Sequence, residues 1–172
     1  FFQNFGTIED VDFVDENVGY VATSNGFFKT SDSGATWEPI IQSSGNCFPA
    51  TVYFPTEGDG FLGGGECFAN EVVDMILDDT LSSFEFVFSG QSSNQRITAI
   101  DFHDANYGLA SGESGIILKT VDGGVNWTEI QVATNGEILT DIIIVDDTLA
   151  FASYDAGNFG VLQSNDAGAT WF

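Results

Sequence analysis

One octapeptide recurs along this chain. Thr30-Ser31-Asp32-Ser33-Gly34-Ala35-Thr36-Trp37 returns as Thr120-Val121-Asp122-Gly123-Gly124-Val125-Asn126-Trp127, and again as Ser164-Asn165-Asp166-Ala167-Gly168-Ala169-Thr170-Trp171. The shared pattern is Ser/Thr-x-Asp-x-Gly-x-x-Trp. Its closing tryptophans stand 90 and 44 residues apart, so the longer gap holds two periods. Self-similarity at this spacing means a small supersecondary unit copied along the chain, each copy burying its apolar faces against its neighbours.

The missing copy falls at Leu77-Asp78-Asp79-Thr80-Leu81-Ser82-Ser83-Phe84, which keeps the central Asp79 and a closing aromatic, Phe84, while Leu81 replaces the glycine. The central aspartates 32, 79, 122 and 166 are then 47, 43 and 44 residues apart. This gives four repeats in one domain spanning 1–172, at approximately 7–47, 48–92, 93–136 and 137–172. A second pattern precedes each box. Val11-Asp12-Phe13-Val14-Asp15 leads to Gly19-Tyr20-Val21-Ala22, and Ile100-Asp101-Phe102-His103-Asp104 leads to Gly108-Leu109-Ala110-Ser111. Ile142–Asp146 before Leu149–Ala152, and Thr51–Phe54 before Gly60–Gly63, repeat the theme.

Short β-branched or aromatic runs broken by Asp, Asn and Gly read as strands and turns. Repeat one is predicted as four strands: Val11–Val14, Tyr20–Thr23, Phe27–Thr30 and one beginning at Trp37. No window carries a helical period. The fold class is therefore all-β, a β-propeller of four-stranded antiparallel blades repeating about every 44 residues. The box spans the hairpin between a blade's third and fourth strands. The Asp carboxylate accepts from nearby backbone N–H groups, and the Ser or Thr hydroxyl serves another turn group. The Gly takes a positive φ that a Cβ resists, and the Trp lays a large flat face on the hairpin. Thr30, Asp32, Gly34, Trp37, Asp79, Phe84, Thr120, Asp122, Gly124, Trp127, Ser164, Asp166, Gly168 and Trp171 are thus read as architectural, not catalytic.

These boxes, with the lead-in Phe13-Val14-Asp15-Glu16-Asn17-Val18-Gly19-Tyr20, resemble the Asp-box (BNR) repeat family. The closer resemblance is to the photosystem II stability/assembly factor-like propeller repeats of secreted bacterial proteins. It covers nearly the whole chain and implies the propeller fold. One such scaffold hosts many roles, so it does not fix function.

Three basic residues, Lys29, Arg96 and Lys119, face 26 acidic ones, for a net charge of −23. Such a surface repels phosphate backbones and anionic lipids, which excludes nucleic-acid binding. It suits a salty or divalent-rich medium, hence a secreted, extracellular or cell-surface setting. No stretch approaches the roughly 20 apolar residues of a membrane span. The chain opens on Phe1 without a methionine, which reads as processing or trimming. Cys47 and Cys67, the two cysteines, both fall in the degenerate repeat and read as one disulfide, with a pair of buried free thiols as the alternative. The 17 phenylalanines read as core volume. The last repeat lacks part of its outer strand, and three completions are open: the segment Phe1–Phe5 closing a small ring, further blades of a longer propeller, or a second copy on the open blade edge.

Catalytic signatures are weak. Sialidases share the box, but by resemblance they hold a carboxylate with three arginines, and this chain has Arg96 alone. Two carboxylates suffice for glycoside hydrolysis, yet 26 acidic residues pair by chance. His103, the sole histidine, reads as solvated beside a turn, with no nucleophile motif near it. Asp15-Glu16-Asn17, Asp104-Ala105-Asn106 and Asp146-Asp147 recur at one turn, and Glu57, Asp59 and Glu66 crowd repeat two. Oxygen-rich turns are candidates for Ca²⁺, though none shows the twelve-residue calcium loop. The expectation is a non-catalytic, secreted propeller without a cofactor, binding a protein or extracellular-matrix partner. The alternatives are a carbohydrate-binding or glycoside-hydrolase-like propeller, and a structural subunit of an extracellular assembly joined through the open blade edge.

Overall fold

The computed structural model describes residues 5–42, 48–57, 59–65, 71–77, 82–89, 96–132, 137–157 and 159–172, with backbone alone at 41–42, 48–49, 59, 65, 71–77 and 82–89. Four antiparallel sheets follow one another along the chain. Blade one holds β1 (Ile8–Phe13), β2 (Gly19–Thr23), β3 (Gly26–Thr30) and β4 (Glu38–Gln42). Blade two holds β5 (Phe48–Thr56), β6 (Asp59–Gly65), β7 (Glu71–Leu77) and β8 (Ser82–Ser89). Blade three holds β9 (Ile97–Phe102), β10 (Gly108–Gly112), β11 (Ile116–Thr120) and β12 (Thr128–Gln131). Blade four holds β13 (Ile138–Ile144), β14 (Ala150–Asp155) and β15 (Phe159–Ser164). Each is a meander in chain order. Among the described residues the one helical turn is the 3₁₀ segment Glu113–Gly115, and no helix is long and apolar enough to cross a membrane.

Several sequence-based boundaries shift. β1 starts at Ile8 and stops at Phe13, because Val14 N–H already turns to donate to Val18 C=O. β4 and β12 begin one residue after Trp37 and Trp127. In blade two the third and fourth strands pair as far as Leu77 opposite Ser82, while in blade one the pairing stops at Lys29 opposite Glu38. The ladder of blade two therefore runs further toward its hairpin. Phe84 sits inside β8 opposite Met75, so it does not take the place of the box tryptophan, which precedes its strand. Asp79, in that hairpin, lies outside the described residues, as do Cys47 and Cys67.

A strand's side chains alternate between two faces, and the register assigns them. In blade one Asp10 and Asp12 share a face with Ala22 and Tyr20, while Val11 and Phe13 share the other with Val21 and Gly19. The first face packs on blade two: Tyr20, Ala22 and Phe27 meet Val52, Phe54 and Leu62 in one buried cluster. Tyr20 stacks on Phe54 at 3.7 Å between centroids, with Phe27 beside both. Blade two then packs Phe61 and Tyr53 on Ile100, Ala110, Leu118, Phe102 and Trp127 of blade three. Blade three packs Leu109 and Ile117 on Ile142, Ile144, Ala150 and Ala152 of blade four. The core is thus three blade junctions in series, each burying apolar area worth about 25 cal/mol per Å². No packing of comparable extent joins blade four to blade one among the described residues, which thus form an open array consistent with part of a propeller.

Both ends bear on closure. Phe172 exchanges two backbone hydrogen bonds with Gln163, at 3.0 and 3.1 Å, so a fourth strand begins in the last blade. Phe5 does not complete that blade. Its ring lies edge-on against Phe28 and Trp37 of blade one, at 5.1 and 6.2 Å, and Thr7 N–H donates to Ser24 Oγ. Residues 1–4 lie outside the described residues.

The junctions give the box glycines unequal surroundings. All three have positive φ, +81° at Gly34, +87° at Gly124 and +78° at Gly168. A methyl group added at Gly124 collides with the Phe61 ring of blade two, and one at Gly168 comes within 2.8 Å of Leu109 of blade three. At Gly34 the nearest atom is the blade's own Trp37, at 3.7 Å. Gly34→Ala should therefore cost only backbone strain, about 1–2 kcal/mol. Gly124→Ala and Gly168→Ala should lose about 1–3 kcal/mol more from overpacking. Urea unfolding followed by circular dichroism should rank Gly34→Ala as the mildest; equal losses at all three would contradict the junction packing.

Candidate functional site

Two sets of carboxylates emerge, one at the blade ends and one on the innermost strands. The blade-end set is built the same way three times. Asp32 Oδ1 accepts from Thr36 N–H (2.7 Å) and the Thr30 hydroxyl (2.9 Å), and Oδ2 accepts from the Thr36 hydroxyl (2.6 Å). Asp122 makes the same bonds to Asn126 N–H, the Thr120 hydroxyl and Asn126 Nδ2. Asp166 makes them to Thr170 N–H, the Ser164 hydroxyl and the Thr170 hydroxyl. Thr30, Thr120 and Ser164 each also accept from their box glycine's N–H, at 2.8–2.9 Å. Trp37 and Trp127 stand edge-on to Phe13 and Phe102. Trp171 instead packs into the blade three–four core and donates from Nε1 to Gly168 C=O.

The recurring Asp turns between first and second strands are consumed locally. Asp15 Oδ1 accepts from Asn17 and Val18 N–H, Asp104 Oδ1 from Asn106 and Tyr107 N–H, and Asp146 Oδ1 from Thr148 and Leu149 N–H. These turns then receive the boxes: Ser33, Gly123 and Ala167 N–H donate to the carbonyls of Asn17, Asn106 and Thr148. Their repetition is thus explained by turn chemistry. Among the described residues no group of three or more His, Cys, Asp or Glu is arranged to hold a metal ion. Glu57 pairs with Lys29 at 2.7 Å, and Glu66 and the Asp59 side chain lie outside the described set. His103 N–H donates to Tyr107 C=O beside the Asp104 turn.

The inner set was not singled out in the sequence. Asp10 Oδ2 accepts from the Thr51 hydroxyl (2.8 Å) and Val52 N–H (2.9 Å), and Asp12 Oδ2 from Phe54 N–H (2.6 Å), all in blade two. Asp101 Oδ2 accepts from Ile144 N–H (2.6 Å) in blade four. These carboxylates tie one blade's inner strand to the next. They also border a cavity of about 520 Å³ lined by β1, β5, β9 and β13, with Glu9, Asp10, Asp12, Asp101 and Asp141 among its walls. Arg96 lies 3.3 Å from Glu9, one of the lining carboxylates, and ties blade three to blade one at a half-exposed site worth little stability.

The two sets titrate oppositely. Hydrogen bonds from the Thr170 hydroxyl and N–H push Asp166 down to about 2, and the same donors at Thr36 and Asn126 lower Asp32 and Asp122. Burial raises Asp12 and Asp101, against the lowering by Phe54 and Ile144 N–H. Tyr53 between them is raised by burial and then by the charges of Asp101 and Asp12. The chemistry available is a negative, partly desolvated groove that accepts N–H or cationic donors, with carboxylates that hold protons more readily than usual.

No known protein-family profile matches the chain. Over 143 residues, 81% of this chain, it is 27% identical to the photosystem II assembly lipoprotein Ycf48 of Synechococcus sp. (strain CC9902). Its fold is similar to that of an ancestral GH74 enzyme, with a TM-score of 0.76 at 17% identity over 96% of the chain. It is also similar to YCF48 solved bound to a D1 peptide, with a TM-score of 0.57 at 17% identity over 97% of the chain and 82% of that protein. The chain spans 40% of the length of the lipoprotein and 24% of that of the GH74 enzyme. These likenesses establish the propeller fold.

Carbon-detected NMR titration of the aspartates checks the electrostatics. Asp166 should titrate near 2, and Asp12 and Asp101 above the ordinary 3.8. Because Asp166 is depressed in the folded state, its stabilisation is complete above the unfolded value and is lost as pH falls toward 2. Asp12 and Asp101 have the opposite sign: they oppose folding as pH rises through their range. Coincident midpoints for the two sets would contradict the geometry.

Proposed function

We propose that this chain is a non-catalytic protein-interaction propeller, and that its binding surface is the acidic groove along the four inner strands. The observation that carries this reading is the juxtaposition of Glu9, Asp10, Asp12, Asp101 and Asp141 from three blades around one solvent-open cavity. The Ycf48 likeness supports a protein partner, since one similar structure is described as bound to a peptide. The sign of the groove then selects a segment carrying lysine or arginine. Charge of this kind gives specificity and fast association more than raw affinity. A net charge of −23 supports a secreted or surface-displayed setting, where salt screens self-repulsion.

A carbohydrate-directed reading has one observation in its favour. Asp12 and Asp101 are both half-buried carboxylates with raised pKa values, either of which could serve as the proton-holding acid of a glycoside-hydrolysing pair, and the GH74 likeness shares the fold. Both carboxylates, however, spend Oδ2 on a neighbouring blade's backbone. The interaction reading therefore stands first.

The test is isothermal titration with a lysine- and arginine-containing peptide and its glutamate-substituted counterpart, together with a β-glucan hydrolysis assay. Only the basic peptide should bind, its affinity falling roughly tenfold as salt rises from about 0.05 to 0.5 M. Asp141→Asn, which breaks no blade-to-blade bond among the described residues, should weaken that binding while leaving unfolding unchanged. Hydrolysis that is lost in Asp12→Asn, with no peptide binding, would overturn the proposal.

A further inference from the structure

Every inner strand of this array carries an extra residue at the same place. In β1, Ile8 faces Thr23 and Asp10 faces Ala22, so Glu9 has no partner in the register. Ala50 in β5, Thr98 in β9 and Thr140 in β13 are the extra residues of the other blades. A bulge of this kind bends its strand and re-aims a side chain. All four bulge residues line the acidic cavity. Thr98 donates its hydroxyl to Leu139 C=O of blade four at 2.6 Å, and the Thr140 hydroxyl meets Ser153 Oγ at 2.7 Å. Ala50 has no polar side-chain atom, so Glu9 is the one charged member of this set.

Arg96 takes that charge. Its Nη2 lies 3.3 Å from Glu9 Oε2, reaching from blade three to blade one, and the bulge residue of the blade between them is the small Ala50. The seat is a poor one. The two side chains are 37% and 31% exposed. Nη2 stands farther from its acceptor than in a well-formed charged pair, and Nε is buried with no hydrogen-bond partner among the described residues. A buried donor left unpaired is costly, so little holds the guanidinium where it is. The backbone beneath it is fixed: Arg96 C=O accepts from Glu113 N–H at 2.9 Å, and Arg96 N–H donates to Glu113 Oε2 at 3.5 Å. The side chain alone is free to swing, and Glu113, outside the cavity lining, offers it another carboxylate.

We propose that Arg96 is a resident competitor, a strap that occupies Glu9 in the free protein and that a basic partner segment displaces on entering the groove. This rests on the groove reading above and adds its regulation. A lone cation exchanges one weak pair for another and gains little. A segment with several cations also meets Asp12, Asp101 and Asp141, which no basic side chain pairs among the described residues. The strap thus lowers affinity for single charges and favours segments rich in lysine and arginine.

Isothermal titration of the lysine- and arginine-containing peptide tests this on the whole chain and its variants. Arg96→Gln should tighten binding at least about threefold. Lys119→Gln, which removes an equal charge lying over the Tyr107 ring and outside the cavity lining, should change it less than about 1.5-fold. Glu9→Gln should weaken binding at least about twofold more in the Arg96→Gln background than in the native one, because only there is Glu9 open to the peptide. Thermal unfolding of each variant should stay near native, since a half-exposed pair contributes little. Equal tightening by Arg96→Gln and Lys119→Gln, or additive effects of Glu9→Gln and Arg96→Gln, would overturn the strap, because overall charge would then explain the change. Native binding that Arg96→Gln leaves unchanged would overturn the strap alone and keep the groove reading. Absence of binding in both proteins would remove the groove reading and the strap with it, whereas binding by Arg96→Gln alone would uphold both.

Discussion

Everything in this structure depends on a carboxylate turned back onto its own hairpin. A hairpin of the length between β3 and β4 leaves several N–H groups with no ladder partner. Asp32, Asp122 and Asp166 each satisfy one of them, at 2.7–2.9 Å, without leaving the turn. The hairpin so fixed then donates from Ser33, Gly123 or Ala167 to the blade's first turn, which another aspartate has already fixed. Two local devices that lock into each other define one end of a blade before any blade meets another. Local and tertiary preferences agree there, which is what a funnelled landscape requires.

Inter-blade packing uses the same chemistry at longer range. Asp10, Asp12 and Asp101 reach across to the next blade's inner-strand N–H groups, so polar bonds fix the spacing while Tyr20, Phe54, Phe61 and Leu109 fill the space. The proposed binding groove follows from this arrangement. Carboxylates that align successive blades line one cavity between the inner strands, and there they give it its sign. Burial of Asp12 and Asp101 in that groove raises their pKa values, while hydrogen-bond donors lower those of the solvent-facing box aspartates.

The boxes were legible in the sequence because their meaning is local. Thr120, Asp122, Gly124 and Trp127 act on one another within eight residues, so spacing alone carries the information. The inner carboxylates were not legible in the same way. Asp12 bonds Phe54, 42 residues on, and Asp101 bonds Ile144, 43 residues on, and nothing in their local pattern separates them from the other acidic residues. The polar alternation of Glu9-Asp10-Val11-Asp12 in an otherwise apolar strand was the available signal. The turns at Asp15, Asp104 and Asp146 show the converse: an oxygen-rich pattern suggested a cation site, and backbone N–H groups of the same turn take Oδ1 of each, which accounts for the recurrence by itself. In the degenerate second repeat Phe84 lies within β8 opposite Met75, whereas Trp37 and Trp127 precede their strands.

Native-state amide hydrogen exchange tests the central claim most directly. Thr36, Asn126 and Thr170 lie in exposed turns outside any strand, so without the aspartate bonds they would exchange at loop rates. With those bonds, their protection should match that of the neighbouring strand amides of Thr30, Thr120 and Ser164, and should be lost one site at a time when Asp32, Asp122 or Asp166 is replaced by alanine. Fast exchange at all three turns in the unmutated protein would contradict the account.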